Sequence, residues 1–354
     1  MLSGASGAKL KTTKGRFFVE CPSEQSQIVE NALSRLIGIS GWAKTATCQK
    51  TTEEVLALCV EEAKKIKESG GQTFKIDSRR TDKSFPLSSY DLCCRAGEAI
   101  LKEIDGLKVD IHKPDDVIHV EIREKAYIYS GGKKGLGGLP VGSAGRGLLL
   151  LSGGIDSPVA GFLMAARGMK TEAIHFHAYP YTALEAKEKV IRLARITGAY
   201  CMGIHLYILC FTPVQTRIKE KAPPEWSTVL LRMAMMEAAE KAAVKIKAKC
   251  LITGESLSQV ASQTIENLNC TGSRLKLPVL RPLIGMDKEG IIKISEKIGA
   301  FETSIEPHTD CCTLFTPKHP ILRGDVEEAN ALYESLELQA LIDEALAGYE
   351  LVKC

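Results

Sequence analysis

The segment Leu148-Leu149-Leu150-Leu151-Ser152-Gly153-Gly154-Ile155-Asp156-Ser157-Pro158 runs from four consecutive leucines, through two glycines, to a proline. Unbroken apolar residues describe a strand buried on both faces. Proline fits the first turn of a helix, where its missing N–H would have no partner anyway. Between the two, glycines let the backbone turn tightly, so the free amides of the helix N-terminus point outward with the positive end of its dipole. Ser152 and Ser157 add hydroxyl donors. The result is an anion cradle, in which the dipole alone is worth about 1–2 kcal/mol to a bound phosphate. It is neither of the common nucleotide loops: the chain holds no G-x-x-x-x-G-K-[ST], and no G-x-G-x-x-G follows the strand.

Outward from this loop, strands and helices alternate. Helices are predicted over residues 158–167, 183–197, 227–247, 257–267 and 288–298, the last capped by Asp287. Strands are predicted over 148–151, 172–177, 202–211 and 250–253. Apolar strands alternating with helices mean an α/β domain with a doubly wound parallel sheet. Upstream, the glycine-rich stretch 131–147 has too few side chains to pack a core and reads as an interdomain connection. Before it, strands over 16–20, 73–77, 117–122 and 126–130 mix with helices over 25–36, 52–69 and 88–104, an α+β pattern.

The 354 residues are 45% hydrophobic and 25% charged, which excludes a disordered or fibrous chain. The longest apolar run, 148–151, is far short of a membrane span, and no N-terminal stretch reads as a signal peptide. A cytoplasmic protein with no membrane partner is expected. Net charge is only +3, but basic residues cluster in the first part: Lys9, Lys11, Lys14 and Arg16; Lys75, Arg79, Arg80 and Lys83; Lys133 and Lys134. Such clustering favours a polyanion partner. Twelve cysteines without a C-x-x-C pair make neither a disulfide framework nor a zinc site. Cys93-Cys94 fall in a helical pattern and are expected to be buried. Cys311-Cys312 lie in a polar stretch before Pro317, where a loop thiol is accessible.

Ser-Gly-Gly-x-Asp-Ser after an apolar strand resembles the pyrophosphatase loop (PP-loop) of adenylating enzymes of HUP-like fold. Three further segments closely resemble the tRNA 4-thiouridine synthetase family (ThiI type): residues 254–263 (GESLSQVASQ), 278–288 (PVLRPLIGMDK) and 310–317 (DCCTLFTP). Residues 79–86 (RRTDKSFP) and 137–142 (GGLPVG) are similar to that family's RNA-binding THUMP domain and the linker after it. The resemblance implies a partial N-terminal ferredoxin-like segment over 1–27, a THUMP domain over 28–132, a linker over 133–147 and a PP-loop domain over 148–354. Residues 1–14 read as a short Gly/Ser/Lys stretch in place of the usual first strand and helix. The rhodanese domain of longer relatives has no counterpart before Cys354.

The resemblance further implies a reaction. ATP would adenylate O4 of the uridine at the corner between the acceptor and D stems of tRNA, and sulfur would then replace AMP to give 4-thiouridine. Leu150, Leu151, Ser152, Gly153, Gly154, Ile155, Ser157, His175, Phe176, Arg232, Gly254 and Gln263 match the ATP-binding positions. Gly254 is expected to leave room for the nucleotide. Asp156 would orient the phosphates or a Mg²⁺ ion, a role compatible with capping its helix, and Lys288 would offset charge on the α-phosphate. Cys311 or Cys312 would carry sulfur, and Arg79, Arg80, Lys83, Lys133 and Lys134 would hold tRNA. Further expected partners are a cysteine desulfurase as sulfur donor, a sulfur-carrier protein for thiamine thiazole synthesis, and a second copy of the chain. The alternatives are a PP-loop ligase acting on another RNA base or a small-molecule amide acceptor, and a non-catalytic RNA-binding protein. The intact phosphate loop argues against the last.

Overall fold

The computed structural model describes residues 5–13, 16–307, 317 and 319–354. The chain divides into two compact units, Ser40–Gly135 and the remainder. The remainder begins with an antiparallel hairpin of β1 (Lys9–Thr13) and β2 (Arg16–Glu20), followed by helix α1 (Ser26–Ser34). The basic N-terminal stretch thus contains a strand where none was expected. Alternating Lys9, Lys11 and Leu10 pair with β2, and Lys11 bonds Glu20 across the ladder at 2.6 Å.

The Ser40–Gly135 unit contains β3 (Gly41–Trp42), β4 (Ala46–Cys48), α2 (Thr52–Glu68), β5 (Thr73–Arg80), α3 (Ser89–Glu103), β6 (Lys108–Val109), β7 (Asp116–Ile122), β8 (Ala126–Tyr129) and β9 (Lys133–Lys134). Its main sheet has the order β4-β8-β7-β5-β6. Both helices start at side-chain caps, Thr51 accepting from the Glu54 amide and Ser88 from the Asp91 amide. Each buries one stripe against the sheet. Val55, Cys59 and Ala63 of α2 and Leu92, Ala96 and Ile100 of α3 join Phe74, Ile118 and Ile128 in one core. Of the two cysteines expected to be buried, only Cys93 packs against it. Cys93 is half-buried and Cys94 exposed, because adjacent helical positions point about 100° apart.

The larger unit continues with β10 (Arg146–Leu150), α4 (Asp156–Ala166), β11 (Lys170–His177), α5 (Leu184–Gly198), β12 (His205–Cys210), α6 (Thr212–Lys221), α7 (Ser227–Lys245) and β13 (Leu251–Ile252). It ends with α8 (Ile265–Gly272), β14 (Val279–Leu280), α9 (Lys288–Lys297), α10 (Phe301–Ser304), α11 (Val326–Ser335), α12 (Gln339–Ala347) and β15 (Glu350–Lys353). The sheet order is β14-β13-β10-β11-β12-β15, all parallel except β15. Successive leucines of β10 face opposite ways. Leu148 packs under α7, α11 and α12 with Ile174, while Leu149 packs under α4, α5 and α9 with Ala173. Burial on both faces is why the strand is continuously apolar, and each such leucine contributes about 1.5–3 kcal/mol. The expected doubly wound α/β architecture is borne out.

Two local expectations change, and the sheet holds an antiparallel strand that was not expected. Residues 257–267 are not one helix: Ser258 takes φ +60° and Val260 is extended, and α8 starts only at Ile265 under its Thr264 cap. The glycine-rich stretch does pack. Leu136 and Val141 join the core, and Gly138 (φ +78°) lies so close to α4 that a Cβ there would stand 2.4 Å from the Ala166 carbonyl oxygen. Lastly, β15 adds an antiparallel edge to the sheet, Ile204 and Cys354 exchanging both backbone hydrogen bonds (2.7 and 2.8 Å). Among the described residues, no helix is long and apolar enough to cross a membrane.

Candidate active site

Every parallel strand of the larger sheet points its carboxyl end to the same side, where open α/β sheets bind ligands. There, one cavity is lined by Leu150, Leu151, Ser152, Asp156 and Ser157 from the β10–α4 turn, by Ile174, His175 and Phe176 from β11, and by Arg232, Met235 and Met236 from α7. Thr253, Gly254, Glu255 and Gln263, from the segment after β13, complete it. Residues far apart in sequence and matched one by one therefore meet around a single space. Gly153, Gly154 and Ile155 form the turn without lining the cavity.

The turn is braced internally. Ser157 Oγ accepts from the Ser152 amide (2.9 Å) and lies 3.1 Å from Ser152 Oγ, which accepts from the Gly154 amide (3.3 Å). Helix α4 begins at Asp156, two residues before the proline, so its N-terminal amides open onto the cavity side of the turn. Asp156 is the first residue of the helix and does not cap it; the cap position is Ile155, with no side-chain cap bond. The Asp156 carboxylate instead accepts from Lys288 Nζ at 2.7 Å and from Gln259 Nε2 at 3.0 Å. Asp287 caps α9 by accepting from the Gly290 amide, which fixes the helix start that presents Lys288.

Gly254 lines the cavity, and its missing side chain also serves the turn. A Cβ there would lie 2.8 Å from both Asp156 C and Ser157 N, so the missing side chain makes room for the phosphate turn itself. His175 is buried and its Nδ1 donates to the Leu151 carbonyl at 2.9 Å. Burial holds it well below its ordinary value, at about 4, so the ring is neutral near pH 7. The Phe176 ring meets Phe211 edge-on at 4.7 Å. Arg232 pairs with the buried carboxylate of Glu255, which also accepts from Arg281 Nε (2.7 Å) and Thr253 Oγ1 (2.8 Å). Burial pushes Glu255 up, but Arg232 and then Arg281 outweigh it and keep the carboxylate below its usual range. Among the described residues, no group of three or more His, Cys, Asp or Glu side chains could hold a metal ion.

Residues 142–338 match the family described as "Thiamine biosynthesis protein (ThiI)", and residues 49–130 match the THUMP domain. A "Probable tRNA sulfurtransferase" of Thermoanaerobacter pseudethanolicus is 44% identical over 97% of this chain and 89% of its own length. The chain belongs to the ThiI family. Another curated relative of the ThiI-family chain, from Treponema pallidum and of the same description, is 47% identical over 94% of it and 83% of the relative. A crystal structure of a 4-thiouridine synthetase in complex with RNA and bound ATP superposes with a TM-score of 0.93 at 34% identity. The match covers 99% of this chain and 91% of that one.

In the ThiI-family chain, the basic residues singled out as RNA contacts divide into two kinds. Arg79 and Lys83 are exposed, and Lys133 and Lys134 lie on the exposed strand β9, with Lys133 Nζ 4.8 Å from the centre of the Trp42 ring. Arg80 instead turns inward. Its Nη1 donates to the carbonyls of Phe85 (2.9 Å) and Leu87, bracing the loop between β5 and α3. Cys311 and Cys312 lie outside the described residues. Sequence reasoning missed Glu255, Arg281 and Gln259. All three sit inside the quoted segments 254–263 and 278–288, and for Glu255 a charged residue beside Gly254 was the available signal.

Proposed function

We propose that this ThiI-family chain is an ATP-dependent tRNA sulfurtransferase that makes 4-thiouridine by adenylating the base and then displacing AMP with sulfur. O4 of the target uridine attacks the α-phosphorus of ATP, the bond to the β-phosphate bridging oxygen breaks, and pyrophosphate leaves. The outer sulfur of a cysteine persulfide then attacks C4, the C4–O4 bond breaks, and AMP departs with that oxygen. A second thiol then attacks the inner sulfur, the S–S bond breaks to release 4-thiouridine, and the disulfide left behind is reduced by an external thiol before the next turnover. Adenylation is needed because a carbonyl oxygen is a poor leaving group. The observation that carries this reading is the meeting of the Ser152–Ser157 turn, the Asp156–Lys288 pair and His175 around one cavity at the carboxyl ends of the sheet.

In this reading the amides and hydroxyls of the turn cradle the phosphates, with Leu150, Leu151, Phe176, Gly254 and Gln263 walling in the nucleotide. Lys288 offsets the charge that develops as pyrophosphate leaves. His175, neutral and donating to Leu151, keeps Nε2 as an acceptor rather than a cation. Magnesium, which offsets phosphate charge when bound, would meet Asp156 as its protein carboxylate; the described residues form no metal cage of their own. Cys311 or Cys312 receives sulfur from a desulfurase, and the same persulfide would serve a sulfur-carrier protein. The Ser40–Gly135 unit supplies RNA affinity through Arg79, Lys83, Lys133 and Lys134. Nucleoside mass spectrometry of cells lacking the gene tests the function: loss of 4-thiouridine, restored by the wild-type chain but not by Asp156→Ala, is expected. An unchanged nucleoside profile overturns it.

A further inference from the structure

Glu255 is 2% exposed, yet it carries a full charge and holds three groups from different parts of the fold. Oε1 takes the Arg232 guanidinium from the cavity face of α7. Oε2 takes Arg281 Nε, just beyond β14, and the Thr253 hydroxyl at the end of β13. A buried carboxylate is retained at a desolvation cost only where partners satisfy it, and here every oxygen is engaged. Two arginines packed within reach of one carboxylate leave a net charge of +1 against the cavity wall. Without Glu255, the two guanidiniums would repel each other and Arg232 would lose the carboxylate that holds it at the cavity wall.

Resting on the reading of this cavity as the ATP site, we propose that Glu255 is a positioning residue: with Arg281 as its second anchor, it fixes the Arg232 guanidinium on the cavity wall for the triphosphate. The advantage is preorganisation. A cation already held in place needs no reorganisation as charge builds on the departing pyrophosphate. Arg281 also keeps Glu255 from neutralising Arg232 completely, because the carboxylate divides between two cations.

The test is a double-mutant cycle in the full chain, read as kcat and KM for ATP in tRNA-dependent pyrophosphate release, with thermal unfolding of each variant measured alongside. Glu255→Gln is expected to lower kcat/KM for ATP about tenfold, on the order of one charge-assisted hydrogen bond. In an Arg232→Ala background the same substitution should cost less than about twofold, since there is nothing left to position. Equal, additive losses in both backgrounds overturn the proposal and leave Glu255 a structural residue. Should Glu255→Gln unfold, Arg281→Met keeps the carboxylate partnered. It should lower ATP affinity by drawing Arg232 onto Glu255 alone, again only while Arg232 is present, and an equal effect without Arg232 overturns the proposal. If Arg232→Ala itself leaves ATP binding unchanged, the ATP-site reading fails, a different outcome from additivity.

Discussion

Gly254→Ala should damage the phosphate turn more than any other single methyl addition in the segment after β13. The added carbon would stand 2.8 Å from Asp156 C, 2.8 Å from Ser157 N and 3.0 Å from Ser157 Cα. Ordinary contacts between such atoms are about 3.5–4.0 Å, so the two backbones must part by about 0.7–1.2 Å. All three obstructing atoms are main chain, so no side chain can rotate away to relieve them. Overpacking of this kind costs about 1–3 kcal/mol. The displaced residue is also the one whose carboxylate meets Lys288 at 2.7 Å and Gln259 at 3.0 Å. A shift near 1 Å in a reacting group costs about 10²-fold in rate. Denaturant unfolding and tRNA-dependent pyrophosphate release should therefore both fall. Gly154→Ala is the control: its nearest neighbour would be Ser152 Oγ at 3.6 Å, an ordinary contact, so unfolding should change by less than about 0.5 kcal/mol. Wild-type stability and turnover in Gly254→Ala would refute the reasoning. A destabilised variant with undiminished turnover would show that the close approach supports the fold and not the position of Asp156.

Arg79→Ala with Lys83→Ala should flatten the salt dependence of RNA binding by about 0.7–0.9 per charge removed, with thermal stability unchanged; an unaltered slope would move the RNA surface elsewhere. Arg80→Ala should instead lower the unfolding midpoint, because the Phe85 and Leu87 carbonyls lose their donor. The folded pKa of His175 lies at about 4 against an ordinary 6.5, so the unfolded chain takes up the proton first as pH falls. Its contribution, up to about 3 kcal/mol, is complete above pH 6.5 and disappears between 6.5 and 4; His175→Gln should flatten denaturation profiles across that window, and an unchanged slope would show that the ring is not held neutral. Single Cys311→Ser and Cys312→Ser variants should keep pyrophosphate release while one of them loses desulfurase-driven thiolation. Full thiolation in the double variant would mean that sulfur reaches the base without either thiol.

The phosphate turn and the capped helices were legible in the sequence because each rests on contacts between near neighbours, and the parallel sheet because its apolar strands alternate with helices. A run of leucines reads as a core strand whichever helices cover it, Ser152 and Ser157 brace their own turn, and Asp287 reaches only as far as Gly290. A run of glycines, by contrast, says nothing of what the backbone will lie against, so the packing of Gly138 on α4 was misread as a bare connection. The helix predicted over 257–267 failed for a related reason: its apolar spacing is sound, but Ser258 adopts a left-handed conformation that composition does not announce. Side-chain partnerships across the fold were beyond reach altogether. Lys288 meets Asp156 across 132 positions of chain, and Glu255 meets Arg232 and Arg281 across 23 and 26. Which carboxylate joins which cation depends on the order of strands in the sheet. That order comes from burying apolar faces between layers, an energy in which those charged groups take little part. Sequence therefore determined the residue types and the local loop, and tertiary packing decided their partners. It gave Gly254 a second task, clearance for the β10–α4 turn, and turned Arg80 from a free cation into a brace.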